Sequence, residues 1–197
     1  MSSQGIGISF KFVMEVFMYK VISNSPEDTF TIGEKIGKLL DKGNVICLSG
    51  DLGVGKTMFV KGIAKGLGVE DYITSPTFTI VNEHEGKYIL YHFDVYRVND
   101  SEELAEIGFD EYIYSDGVSV IEWAELIMPI LPKERLFIEI KKDYSKGEDY
   151  REIILEPTGI KYELMVKQSP HHPTPSPTSG EGEKRLEGSE NNEGTCN

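Results

Sequence analysis

The sequence predicts an α/β fold in three layers, with helices on both faces of a central mixed β-sheet. Short continuous apolar runs, such as residues 45–48, are typical of strands that are buried on both faces. Between these runs lie segments whose apolar residues recur at helical spacing, such as residues 30–40. This alternation indicates a sheet that is covered by helices on both sides.

Each element has a local signal in the sequence. Ser25, followed by Pro26 and two acidic residues, is typical of a helix N-cap, and Gly43-Asn44 ends that helix. Neighbouring strand-like segments predict two hairpins. In chain order, the predicted elements are a strand at 19–23, the helix after Ser25, a strand at 45–48, a helix from Lys56 to about Gly66, a hairpin of 77–82 and 88–93, a short helix from Ser101, a strand at 117–123 and a hairpin of 135–141 and 150–155.

The composition indicates a folded domain with an acidic balance. The 33 acidic and 20 basic side chains give a formal net charge of −13, which argues against a surface that binds a nucleic-acid backbone directly. Two cysteines, Cys47 and Cys196, are too few for a disulfide scaffold and favour a reducing compartment. Because no apolar run approaches the ~18 residues of a membrane span, we expect a cytoplasmic protein without membrane attachment.

Residues 18–167 are predicted to form one domain, flanked by two segments of different character. Residues 168–197 are rich in Pro, Ser, Gly and Glu and have almost no large apolar side chains, so we expect a disordered acidic tail. Residues 1–17 are an N-terminal extension or a start-site artefact, because Met14 and Met18 are each alternative starts.

The strongest chemical signal is the segment 50–57, Gly-Asp-Leu-Gly-Val-Gly-Lys-Thr, which matches the phosphate-loop pattern G-x-x-x-x-G-K-[ST] in full. Its glycines let backbone N–H groups face phosphate oxygens, and the following helix points its positive end at them. The lysine would reach the β- and γ-phosphates, and the threonine hydroxyl would bind Mg²⁺. This narrows the fold class to a P-loop NTPase-like domain, with the predicted nucleotide-binding residues Gly50, Asp51, Leu52, Gly53, Val54, Gly55, Lys56, Thr57 and Met58.

Two carboxylates are candidates for the metal side of such a site. Asp94 follows the predicted strand 88–93, and Glu122 comes at the end of the predicted strand 117–123. The carboxyl ends of parallel strands meet at the edge where the phosphate loop lies. A carboxylate there can hold Mg²⁺ or orient an attacking water. For each residue alone, a solvated acid at a strand end is the alternative.

Three further features have both a functional and a structural interpretation. The segment 75–79, Ser-Pro-Thr-Phe-Thr, fits a switch that folds over the γ-phosphate, or a turn that contains proline. Trp123, the only tryptophan, follows Glu122 and fits ordinary packing. Arg97 is close enough to Asp94 in sequence to pair with it or with phosphate.

Four of these segments together resemble the TsaE family, small bacterial ATPases of tRNA threonylcarbamoyladenosine synthesis. The segments are the phosphate loop at 50–57, Ser-Pro-Thr-Phe-Thr at 75–79, His-Phe-Asp-Val-Tyr-Arg at 92–97 and Ile-Glu-Trp at 121–123, in the order typical of the family. The resemblance covers about residues 19–167. Met58 stands where many members have a second threonine, which leaves Thr57 intact.

The resemblance implies that the chain binds and hydrolyses ATP with Mg²⁺. It also implies two partners, TsaD and TsaB, which transfer a threonylcarbamoyl group to the adenosine beside the tRNA anticodon, so that tRNA is contacted mainly through them. The implied residue roles are catalysis by Lys56, Asp94 and Glu122, metal binding by Thr57, Glu122 and Asp94, switch contacts by Ser75, Thr77 and Trp123, and nucleotide binding by Arg151.

Other functions of a phosphate loop fit the residues less well. A small-molecule kinase usually stabilises the transferred group with several lid arginines, and only Arg97, Arg135 and Arg151 lie outside the tail. A GTP-dependent switch would need an Asn-Lys-x-Asp guanine motif, which the sequence lacks. An interaction module that binds nucleotide with little turnover uses the same loop and stays open as an alternative.

Overall fold

The structure, a computed structural model, describes residues 18–98, 100–168 and 175–176. The strands are β1 (Met18–Ser23), β2 (Val45–Ser49), β3 (Val81–His84), β4 (Leu90–Asp94), β5 (Val118–Glu122), β6 (Arg135–Lys142), β7 (Arg151–Thr158) and β8 (Pro175–Ser176). The helices are α1 (Pro26–Leu39), α2 (Lys56–Gly66), α3 (Ser101–Glu106), α4 (Phe109–Ile113) and α5 (Ile160–Lys167), with a 3₁₀ segment at Ala124–Ile130. The predicted α/β class with a mixed sheet is confirmed.

The strands form one sheet in the order β3-β4-β5-β2-β6-β7-β1-β8. Strands β4, β5, β2 and β6 are parallel to one another, whereas the outer pairings are antiparallel. Parallel strands end at the same edge, and the register aligns Asp94 of β4 with Glu122 of β5 and Glu122 with Leu48 of β2. Because β2 ends at Ser49, the phosphate loop and both predicted carboxylates meet at one edge of the sheet.

Strand β2 is buried on both faces, which explains its continuous apolar sequence. Ile46 and Leu48 pack in the core layer that contains α1 and α2, whereas Val45 and Cys47 pack in the layer on the opposite face, with α3 and α4. Burial raises the pKa of the Cys47 thiol to about 12, so this cysteine is an inert core side chain. The phosphate loop is thus attached to a strand that is buried along its whole length.

Helices α1 and α2 are in direct backbone contact through glycines. A Cβ atom at Gly33 of α1 would lie 2.3 Å from the carbonyl oxygen of Phe59, and one at Gly62 of α2 would lie 2.1 Å from the carbonyl oxygen of Phe30. No side chain fits at either position, because backbone atoms cannot rotate away. This close approach fixes α2, the helix that follows the phosphate loop, against α1.

The helix signals at Ser25 and Lys56 are confirmed. Ser25 caps α1 by accepting a hydrogen bond from the N–H of Asp28 at 3.0 Å. The final hairpin is confirmed as β6 and β7, and the strand at 117–123 as β5. The sequence did not predict α4, α5 or the 3₁₀ segment, all of which are eight residues long or shorter.

The first arm of the other predicted hairpin is placed wrongly. Residues 77–80 form a turn, in which the N–H groups of Thr79 and Ile80 donate to the carbonyl of Pro76, and the strand β3 begins only at Val81. Ile80 has a φ of 66°, which no strand residue adopts. The apolar and β-branched residues of 77–80 therefore resemble a strand in the sequence. In the structure, the backbone bends there into a turn that begins at Pro76.

The flanking segments lie mostly outside the described residues. These are the predicted extension at 1–17 and, apart from Gln168 and 175–176, the predicted acidic tail at 168–197. Pro175–Ser176 pairs with Met18 and Tyr19 at the end of the sheet, inside the segment that we predicted to be disordered. Among the described residues, no helix combines the length and the apolar character needed to cross a bilayer.

Candidate nucleotide site

The phosphate loop, residues 50–57, follows β2 and leads into α2. Gly50, Gly53 and Gly55 have φ values of 130°, 71° and 115°, which side chains rarely allow. A Cβ atom at Gly50 would also lie 2.3 Å from the carbonyl oxygen of Ile140 in β6. The loop therefore depends on glycine for its path and for its contact with the sheet.

The middle of the loop is anchored to the core on one side and exposed to solvent on the other. The side chain of Val54 is only 1% exposed and packs in the core, whereas Asp51 and Leu52 face solvent. Arg151, at the start of β7, donates from Nε to the carbonyl oxygen of Val54 at 2.8 Å. Arg151 thus supports the loop backbone from the sheet side and does not line the cleft.

Lys56 is folded back onto its own loop. Its ammonium donates to the carbonyl oxygens of Gly50 at 2.5 Å and Asp51 at 3.1 Å, and the residue is 5% exposed. Burial lowers the pKa of Lys56, and the negative charge of Glu122 offsets this in part. A phosphate group that pairs with Lys56 would therefore have to replace these two carbonyl contacts.

A continuous chain of hydrogen bonds joins α2 to the sheet through Thr57, Glu122 and His92. The Thr57 hydroxyl is 3.0 Å from each carboxylate oxygen of Glu122 and donates to the pair. Nε2 of His92 lies 2.8 Å from Oε1 of Glu122. Glu122 is 2% exposed and His92 is fully buried. The carboxylate is therefore held from α2 on one side and from β4 on the other.

Asp94 is joined to the hydroxyl-rich segment 75–79. The Thr77 hydroxyl donates to Oδ2 of Asp94 at 2.7 Å, and the Ser75 hydroxyl donates to the same oxygen. The N–H of Tyr96 donates to Oδ1 at 3.1 Å. Asp94 is 4% exposed, so these contacts replace its water. The predicted switch segment is thus tethered to the predicted catalytic carboxylate.

These groups line a single cleft of about 550 Å³. Trp123 forms one wall, with its ring centre 4.6 Å from that of Tyr96 and 3.4 Å from the Lys56 ammonium. Trp123 has a φ of 64°, so the backbone leaves the β5 direction at this residue. The lining residues are Leu52, Gly53, Gly55, Lys56, Thr57, Met58, Ser75, Thr77, Asp94, Tyr96, Arg97, Glu122 and Trp123.

The donor set suits a Mg²⁺ ion that shares its ligands with a phosphate group. Mg²⁺ prefers oxygen ligands and usually takes only one or two carboxylates from a protein, with substrate phosphates and water completing its shell. The cleft offers the Thr57 hydroxyl and the carboxylates of Glu122 and Asp94. Within the described part of the chain, no cluster of three or more His, Cys, Asp or Glu side chains suits a metal held by protein alone.

The sequence-based site lacks His92 and Tyr96. Because side chains alternate along a strand, the placement of Asp94 at the end of β4 puts His92 on the same face, and this period of two is the signal that could have identified it. Tyr96 lies beyond the strand, in a turn, and its ring contacts that of Trp123 because β4 and β5 end together. No local pattern in the sequence predicts that contact.

Comparison with known proteins agrees with this geometry. Residues 23–153 match the family model described as threonylcarbamoyl adenosine biosynthesis protein TsaE. A tRNA threonylcarbamoyladenosine biosynthesis protein TsaE from Bacillus subtilis is 44% identical over 149 residues, which cover 75% of this chain and 91% of that protein. The corresponding protein of Treponema pallidum is 44% identical over 122 residues, 62% of this chain and 90% of its own length.

A solved structure is also similar. The crystal structure of Bacillus subtilis YdiB superimposes with a TM-score of 0.67 at 40% sequence identity, covering 77% of this chain and 93% of that one. The family match spans the phosphate loop, the segment 75–79, Asp94 and Glu122. This chain therefore belongs to the TsaE family.

Proposed function

We propose that this chain is a cytoplasmic, Mg²⁺-dependent ATPase that acts in threonylcarbamoyl modification of the tRNA adenosine beside the anticodon, together with TsaB and TsaD. The observation that supports this most strongly is the meeting of Thr57, Glu122 and Asp94 beside the phosphate loop. Family membership supports the pathway, because the matching relatives are named for tRNA threonylcarbamoyladenosine biosynthesis.

In this proposal, the backbone of residues 50–57 and the start of α2 bind the phosphates of ATP. Lys56 leaves the carbonyls of Gly50 and Asp51 and pairs with the β- and γ-phosphates. Thr57 and Glu122 would hold Mg²⁺, and Asp94 would contribute to the metal site. The chemistry that Mg²⁺ supplies when bound is neutralisation of the charge on the phosphate oxygens.

Asp94 would help to hold the metal and would orient the water that attacks ATP. As a buried carboxylate, it accepts a hydrogen bond from that water and orients it towards the γ-phosphate. The hydroxyls of Ser75 and Thr77, which donate to Asp94 here, are then available to respond to the nucleotide. We infer that this segment and Trp123 report the nucleotide state to the partners.

The charge of the chain supports an indirect contact with tRNA. With a net charge of −13, the chain repels a phosphate backbone unless a partner supplies the basic surface. We therefore propose that TsaB and TsaD hold the tRNA and that ATP turnover resets their complex.

The decisive experiment is a tRNA modification assay with the partner proteins. The wild-type chain should support threonylcarbamoyladenosine formation, and Lys56→Ala should not. Lys61→Ala is the matched control, because it removes the same charge from α2 at a position outside the cleft. Equal modification with Lys56→Ala and wild type would refute the proposal.

A parallel assay separates the alternatives. ATP consumption that depends on an added metabolite would favour a small-molecule kinase, since phosphate then passes to the metabolite rather than to water. ATP binding without turnover, even with TsaB and TsaD present, would favour an interaction module. The proposed ATPase releases inorganic phosphate without any metabolite.

A further inference from the structure

His92 is a buried polar residue whose position suggests a task of its own. It lies on β4 two residues before Asp94 and has no exposed surface. Its Nε2 atom is 2.8 Å from Oε1 of Glu122, whereas its Nδ1 atom is buried without a hydrogen-bond partner among the described residues. Burial of an imidazole that makes a single hydrogen bond costs free energy of folding. Because that bond is made to a carboxylate of the cleft, the contact itself suggests why the residue is retained there.

The contact defines which nitrogen carries the proton. An ionised carboxylate oxygen only accepts hydrogen bonds, so Nε2 must donate and a neutral ring then has its lone pair at Nδ1. The other donor to Glu122, Thr57, belongs to α2, the helix that directly follows the phosphate loop. His92 belongs to the sheet, in the strand directly beside β5. Its contact with Glu122 therefore lies within the sheet and involves no residue of the loop.

We propose that His92 is the positioning residue for Glu122: its Nε2–H fixes Oε1 on the sheet side, so that the carboxylate faces Thr57 and the cleft in one orientation. This inference rests on the proposed function, in which Glu122 holds Mg²⁺. Loss of a hydrogen-bond donor that orients a metal ligand typically lowers metal affinity by about 10- to 100-fold.

Three substitutions separate positioning from packing. His92→Gln places an amide N–H near the position of Nε2, His92→Asn places one near the position of Nδ1, and His92→Phe fills the space without a donor. Binding of Mn²⁺, followed by electron paramagnetic resonance in the presence of ADP, measures the metal site. Binding of ADP without divalent ions measures the phosphate loop alone. Thermal unfolding confirms that each variant is folded.

We expect His92→Phe and His92→Asn to weaken Mn²⁺ binding by about 10-fold or more, and His92→Gln to stay within about 3-fold of wild type. ADP affinity without divalent ions should be unchanged in all three. If folded His92→Phe binds Mn²⁺ as wild type does, or if His92→Gln loses as much as His92→Phe, the ring only packs and the proposal is wrong.

The tautomer of His92 gives a second test that needs no metal. Nitrogen NMR of the ¹⁵N-histidine-labelled full chain should show a proton on Nε2 and a lone pair on Nδ1. A proton on Nδ1 alone would overturn the positioning role, whatever the metal data show. Absence of Mn²⁺ binding to the wild-type chain with ADP would instead count against the proposed function, so the two failures are distinguishable.

Discussion

The ammonium of Lys56 lies 3.4 Å from the centre of the Trp123 ring while it donates to two carbonyl oxygens of its own loop. The lysine that should bind phosphate thus contacts both the loop and the wall of the cleft. If a triphosphate binds as we propose, it should draw this cation away from the ring, because β- and γ-phosphate oxygens are stronger partners than a neutral indole face. We therefore expect nucleotide binding to change the environment of Trp123.

We expect tryptophan fluorescence to report nucleotide binding directly. Trp123 is the only tryptophan, so every change in the signal comes from this cleft. Addition of ATP with Mg²⁺ should change its emission with a saturable dependence on concentration. In Lys56→Met, the emission without nucleotide should already differ from that of wild type, and ATP should have little further effect. A wild-type signal that is insensitive to saturating ATP would contradict the coupling.

Substitution of Asp94 should separate turnover from binding. Asp94→Asn keeps the shape of the side chain and an oxygen that accepts from Ser75 or Thr77, but it removes the charge that we propose orients the attacking water. We expect the rate of ATP hydrolysis to fall by about 100-fold or more, while ATP affinity changes by less than about 3-fold. Phosphate release and nucleotide titration measure the two quantities.

The matched control for this substitution is Asp116→Asn, which removes an exposed carboxylate that pairs with Lys42 at 3.1 Å. Its hydrolysis rate should equal that of wild type. If Asp94→Asn also retains turnover, Asp94 is a structural tether for the segment 75–79. Of the two carboxylates, only Glu122 then takes part in the reaction.

The sequence predicted the parts of the site that are local in the chain. The phosphate loop is contiguous, and the ends of β4 and β5 follow from two short apolar runs, so Lys56, Thr57, Asp94 and Glu122 could be brought to one edge without coordinates. The contacts that join them are not local. His92 and Glu122 are 30 positions apart, and Arg151 and Val54 are 97 apart. Such contacts depend on strand order and register, which no single segment determines.

Arg151 shows what a motif match leaves out. The family resemblance implied a nucleotide contact for Arg151, which stays a prediction; in the structure the guanidinium donates to the backbone of Val54, one position before Gly55. Strand order explains this position: β7 lies beyond β6, which itself flanks β2, so the start of β7 lies behind the loop. The contact between α1 and α2 was not predicted either, although Gly33 and Gly37 of α1, and Gly62 and Gly66 of α2, are each four residues apart, a spacing that places each pair on one helix face.

The glycine contact between α1 and α2 makes a prediction about stability. In Gly62→Ala, the new methyl group would meet the carbonyl oxygen of Phe30 at 2.1 Å, and the helices must separate. Overpacking of this kind costs about 1–3 kcal/mol or more, which outweighs the gain of about 1 kcal/mol that alanine brings to a helix. Urea denaturation should show the loss.

Thr31→Ala is the control for the glycine variant, because it adds no atoms at an exposed position of α1. We expect the free energy of unfolding of this control to stay within about 0.5 kcal/mol of wild type. A Gly62→Ala protein as stable as wild type would mean that the two helices can move apart at no cost.

The ion pairs of Glu152 predict a pH dependence of stability. Its carboxylate accepts from Lys20 at 2.8 Å and from Lys146 at 3.1 Å, and these contacts lower its pKa from 4.5 to about 2. A carboxylate whose pKa is lower in the folded chain stabilises the fold above its unfolded pKa, and this contribution disappears as the pH falls through the folded value. Lys20 lies on β1, so the contact joins β1 to β7.

Comparison of wild type with Glu152→Gln isolates this contribution. We expect the difference in the free energy of unfolding to be constant near neutral pH and to shrink steadily between pH 4.5 and about 2, the range set by the two pKa values. Added salt should reduce the difference at neutral pH, because both lysines are exposed and screened. A difference that keeps the same size from neutral pH down to about pH 3 would show that Glu152 acts through packing or neutral hydrogen bonds rather than through its charge.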